Sequence, residues 1–155
     1  MKLKLDTVII NPKTGQPHTE TELATKITNI VQVHGKLGSP KSEVISSVAA
    51  LVSNPDDYPP EELTLGGCMY NALTGQMQGD EKLASTVRRK RGGLAFDVLN
   101  AMHSGKELDI DSKDASMVQD LVERSYSPAI SFQVCELLDG RKLPTIAKAK
   151  DPETK

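Results

Sequence analysis

The sequence predicts a mainly α protein: a compact helical domain of about six helices with a short N-terminal β-strand or hairpin. Three observations lead there. Apolar residues recur at three- and four-residue spacing over most of the 155 residues. Capping residues stand ahead of those stretches, at Thr64, Asp111 and Ser127-Pro128 among others. Strand-like alternation is clearest at the start, where Leu3, Leu5 and Ile9 alternate with Lys2, Lys4 and Asp6.

The elements follow in order. Asn11-Pro12-Lys13-Thr14-Gly15 is turn chemistry, but little β-favouring sequence follows it, so any second arm is short. Thr19-Glu20-Thr21-Glu22 matches a capping box, with Thr19 as N-cap, and Leu23, Ile27, Ile30, Val31 and His34 share the next helical face. Gly35 and Gly38 end it. Ser39-Pro40 restarts a helix with Pro40 at N1, striped by Val44, Ile45, Val48, Leu51 and Val52. Asn54–Pro60 carries three prolines and breaks the chain into a loop. Thr64 caps a short helix aligning Leu65, Cys68, Met69, Ala72 and Leu73, with Gly66-Gly67 in its first turn.

Asp80–Met102 is expected to be the central helix, N-capped by Asp80 and striped by Leu83, Val87, Leu94, Val98 and Met102. After an extended piece at Glu107–Asp111, Asp111 or Ser112 caps a helix with Met117, Val118, Leu121 and Val122 on its apolar face. Ser127-Pro128 opens the last helix, which carries Ile130, Val134, Leu137 and Leu138 and stops at Gly140. Residues 1–140 form a single helical domain in this reading, and 141–155 a polar, Lys-rich disordered tail.

Composition narrows the function classes. With 19 basic and 21 acidic residues the formal net charge is -2, so nucleic acid would need a local patch. The absence of Trp, with two Phe and three Tyr, implies an aliphatic core and few platforms for stacking bases. Two cysteines, Cys68 and Cys135, lie on apolar helix faces and read as small buried hydrophobes. The start of the chain is too short and too alternating for a signal peptide. No apolar run approaches the roughly 20 residues of a membrane span. A soluble protein with no membrane partner is expected.

The candidate sites are few. His18, His34 and His103 are scattered, without metal-ligand spacing, and no metal or cofactor is expected. Asp109-Ile110-Asp111-Ser112-Lys113-Asp114 alternates carboxylates as a calcium loop does, but lacks the sixth-position Gly and twelfth-position Glu; capping accounts for the same residues. Neither glycine pair, Gly66-Gly67 or Gly92-Gly93, follows a strand in a phosphate-binding pattern. Close helix approach would use such residues equally well. The basic cluster Arg88, Arg89, Lys90 and Arg91 is the partner-binding candidate, set against a solvated surface whose stems cover apolar neighbours. No residues converge as a catalytic set, so no catalytic residue is assigned and the chain is read as not an enzyme. A small hydrolase or transferase would need a pocket where His103 or Cys135 meets a carboxylate.

The segments KLKLDTVIINPKTGQP, LTLGGCMYNALTG, DEKLASTVRRKRGGLAFDVLNA and KELDIDSKDASMVQDLVERSYSPAISFQVCELLDG, in that order, resemble a group of small phage-encoded proteins. The shared pattern is an extended start with a Gly turn, an "LTLG…NAL" helix, a Lys/Arg-rich helix, an acidic N-cap and a "Y-S/T-P" step into the last helix. It covers about two thirds of the chain, leaving 19–60 as an inserted helical pair and loop. The resemblance implies a phage context and a fold type, with no activity and no site residues to carry over. The function expected is protein–protein contact, as a virion or assembly component or a modulator of a host protein. The location is then the host cytoplasm or the virion, the partner a phage structural or host protein, and the oligomeric state open. The alternative is a nucleic-acid-associated protein using Arg88–Arg91.

Overall fold

In the computed structural model the described residues are 1–20, 22–53, 60–75, 77 and 79–144, with the side chains at 22–25 and 36 left aside. The loop expected at 54–60 falls outside them except for Pro60, as does the tail from 145 onward. Six α-helices run among these residues: α1 (Glu22–Leu37), α2 (Lys41–Val52), α3 (Leu65–Thr74), α4 (Ser85–Ser104), α5 (Ser112–Ser125) and α6 (Pro128–Leu138). Four two-residue strands accompany them: β1 (Lys2–Leu3), β2 (Thr19–Glu20), β3 (Glu61–Glu62) and β4 (Leu108–Asp109). The fold is mainly α. Two compact units divide the chain, one of Met1–His18 with the residues from Leu63 onward, the other of Thr19–Glu62.

The first unit is built round α3 rather than α4. Leu65, Gly66, Cys68, Met69, Ala72 and Leu73 are all buried on it, and it packs against α4, α5 and α6. Its start is well satisfied. The Thr64 hydroxyl accepts from Gly67 N at 3.2 Å, while Leu65 N and Gly66 N donate to the carbonyls of Thr7 and Leu5 at 2.8 and 2.9 Å. A Cβ at Gly66 would lie 2.8 Å from the Met102 side chain and 3.0 Å from Leu5 Cβ, so this glycine lets α3 pack closely against both.

The N-terminal alternation holds: Leu3, Leu5 and Ile9 are buried, and Lys2, Lys4 and Asp6 are exposed. β1 pairs antiparallel with β4, Lys2 opposite Asp109 and Leu3 opposite Leu108. Gly15 turns the chain at φ +68°, and a single bridge between Ile10 and Pro17 closes that turn. The buried Gln133 amide locks α6 to the same segment, accepting from Ile10 N at 2.9 Å and donating to Ile10 O at 2.7 Å. Among the described residues the core is aliphatic with two sulfur-bearing residues, Cys68 and Met69, and no aromatic ring is fully buried in it.

Expected helix starts move. α4 begins at Ser85, because Asp80–Lys82 forms a 3-10 turn entered through Gly79 at φ +95°. The Asp80 carboxylate, expected as an N-cap, is taken instead by Met77 N and Arg91. Of the expected stripe, Val87 and Met102 are exposed. Thr19 is no N-cap either; it sits in β2, opposite Glu62. Downstream, Asp111 caps α5 by accepting from Asp114 N at 2.7 Å. Ser127 precedes Pro128 at the first position of α6, and Gly140 ends it at φ +72°.

In the second unit β2 pairs with β3, Glu20 opposite Glu61, and α1 and α2 pack on each other. α1 runs through Gly35, and the left-handed Gly38 (φ +65°) ends it. Pro40 is the residue before α2 rather than its first, since its ψ of 143° is extended.

Candidate functional site

The basic cluster at the head of α4 is three kinds of residue. Arg91 is buried, 7% exposed, and falls in line with Leu94, Ala95, Val98 and Ala101 on the packed face of the helix. Its guanidinium donates to Leu73 O through Nε and Nη2 at 3.3 and 3.1 Å, to Gly75 O at 2.8 Å and to the Asp80 carboxylate at 3.0 Å. These carbonyls belong to the end of α3, where the helix dipole favours a cation. Arg91 therefore joins α3, the 3-10 turn and α4. Lys90 pairs with Asp114 of α5. Only Arg88 and Arg89 are exposed with side chains that, among the described residues, make no hydrogen bond or ion pair.

The electrostatics match these roles. The Met77 N–H, with the Arg91 guanidinium beside it, holds the Asp80 carboxyl below the usual aspartate value. Asp111 is lowered first by the Asp114 N–H that it caps. Lys90 is raised by its bond to Asp114. Asp109 meanwhile accepts from the Met1 ammonium at 3.0 Å. The alternating carboxylates of 109–114 thus serve three separate structural partners. Among the described residues no group of histidines, cysteines and carboxylates could hold a metal.

A cleft of about 490 Å³ is lined by Arg88, Arg91, Asp80, Glu81 and Met77 among others. A second groove, of about 460 Å³, lies between α5 and α6, lined by Glu123, Tyr126, Phe132, Cys135 and Glu136 among others. Cys135 does meet carboxylates there, but with the wrong sign for a nucleophile. Burial and then the charges of Glu123, Asp139, Glu136 and Asp120 push its thiol up to about 11. Cys68 is buried against α3's neighbours, and His103 is exposed on α4.

Large apolar groups are exposed in both units. No described residue of 19–62 is buried. Val31, Val33, Leu37, Ile45 and Val52 are exposed, Leu37 to 74% and Ile45 to 68%. In the first unit, Phe96 on α4 and Phe132 on α6 are 64% and 53% exposed. The sequence reading singled out neither ring. A signal was present: both fall off the apolar stripes of their helices. No family model matches the chain, and no curated protein or solved structure is significantly similar to it. Among the described residues no helix is long and apolar enough to cross a membrane.

Proposed function

We propose that this is a non-enzymatic protein that acts by protein–protein contact, as a virion or assembly component of a phage or as a modulator of a host protein. The phage setting rests on the resemblance of four segments. The contact rests on one observation: the α1–α2 pair buries none of its described residues and exposes five large aliphatic side chains. Val44–Val52 of α2 contains no charged residue on any side. A helix apolar all round is ordinarily buried, and this stretch comes close, with Ser46 and Ser47 as its only polar residues. Covering what remains exposed of those five groups stabilises a complex by about 1 kcal/mol each, on the order of 5 kcal/mol together, comparable with the lower estimates of the cost of association. The partner that fits is an uncharged, aliphatic protein surface.

The test is capture by the tagged protein from infected-cell lysate and from disrupted purified particles, with the partner identified in each. Leu37→Glu with Ile45→Glu should keep the helical circular dichroism and lose the captured partner. Undiminished capture by a folded double variant would refute this placement of the contact.

A second reading has its own observation. Arg88 and Arg89 are exposed and unpaired among the described residues, as a phosphate contact requires. Nucleic-acid binding that falls steeply with salt and is lost in Arg88→Ala/Arg89→Ala would favour it. Arg91, buried beneath the α3 end, is not available to such a contact, and the net charge of -2 gives no general attraction.

A further inference from the structure

Two surfaces of the first unit carry opposite charge and one exposed aromatic ring each. On α4, Arg89, Gly93 and Phe96 fall on one face at i, i+4 and i+7, with Arg88 and Gly92 beside them. A Cβ at Gly92 or Gly93 would meet nothing within 4 Å, so nothing within the molecule requires either glycine. They leave the helix backbone bare between the two arginines and the ring. The α5–α6 groove supplies the complement: Tyr126 and Phe132 line it, Glu123 and Glu136 flank it, and Asp120 and Asp139 act on the same Cys135 thiol. Arg141 pairs with Glu136 and Asp139, leaving Asp120 and Glu123 as the acids on offer.

We propose that the molecule assembles head to tail with further copies of itself: Phe96 of one copy enters the α5–α6 groove of the next, and its Arg88 and Arg89 face Asp120 and Glu123 there. The occupant is a second copy because both halves of the charge match lie on this one chain, each ring with its own set of charges. Two different patches make the contact heterologous, so copies add in one direction and give a ring or a filament rather than a closed pair. A net charge close to zero offers little opposition to such association. None of these residues belongs to Thr19–Glu62, so the contact is separate from the one proposed for the helical pair.

Sedimentation velocity on the full chain, from micromolar to near-millimolar and at low and high salt, tests this. The wild type should gain mass with concentration, and its association should weaken roughly tenfold or more at high salt. Arg88→Glu/Arg89→Glu and Asp120→Lys/Glu123→Lys should each be monomeric with unchanged circular dichroism. Mixed, the two should co-assemble, since the unaltered basic face of one meets the unaltered groove of the other and the two reversed surfaces match each other with their charges exchanged. Phe132→Ser replaces the second variant if that one does not fold. A wild type that stays monomeric, oligomers that survive both reversals, or an inert mixture would each overturn the proposal. Partner capture through α1–α2 should persist in both reversals, so failure here leaves that reading standing.

Discussion

Arg91 occupies a position that helical spacing reserves for an apolar side chain, and it holds that position because every donor aimed inward has an acceptor. Truncation would take its donors from the Leu73 and Gly75 carbonyls and leave the Asp80 carboxylate without its cation. Arg91→Ala is expected to lower stability by about 2–4 kcal/mol, read from chemical denaturation, whereas Arg89→Ala should stay within about 0.5 kcal/mol of wild type. Asp80 and Asp111 give the pH dependence its sign. Both carboxyls are lowered in the folded state from the ordinary aspartate value of 3.8. Their contribution is therefore present above that value and lost as pH falls past it through the folded values. Acid melting curves should show the loss, and Asp80→Asn should blunt it. A slope unchanged in Asp80→Asn would remove Asp80 from the account.

Among the elements, the two glycine pairs are a controlled comparison. Gly66 is pressed by Met102 and Leu5 Cβ, while Gly92 and Gly93 face open space. Gly66→Ala should destabilise, and Gly92→Ala and Gly93→Ala should each raise stability by roughly 0.5–1 kcal/mol through helix propensity. Thermal melts of the three single variants decide it. What could be read beforehand also divides by element. α3, α5 and α6 announced themselves because their start signals are local: the Thr64 and Asp111 side chains cap residues within a turn, and Pro128 takes the first position of α6. The start of α4 and the Thr19 capping box were misread because distant groups claim those residues. Arg91 draws in Asp80 from eleven positions away, and Glu62 pairs with Thr19 across the whole helical pair. Helical spacing sets Arg91 beside the Val87–Leu94 stripe, but its burial was not legible, since only the end of α3 supplies the acceptors that permit it. No spacing in a single sequence shows which carbonyls a distant turn will present.

At the scale of the molecule the two units differ in kind. The first has an aliphatic core in which Leu94 and Val98 are buried, so Leu94→Asp should unfold it, whereas Arg88→Glu/Arg89→Glu should leave it folded. Circular dichroism of the two variants separates a core helix from a surface one. The second unit has no described residue buried, and short helices without a core are marginal in water. It was the sequence resemblance, more than any periodicity, that set 19–60 apart, because the apolar stripes of α1 and α2 look like those of core helices. Amide hydrogen exchange on the dilute, unpartnered protein tests the central claim most directly. Ile27–Val52 should exchange far faster than α3 and slow by at least roughly tenfold when the captured partner is added. Protection of α1 and α2 equal to that of α3 in the isolated monomer would contradict the account.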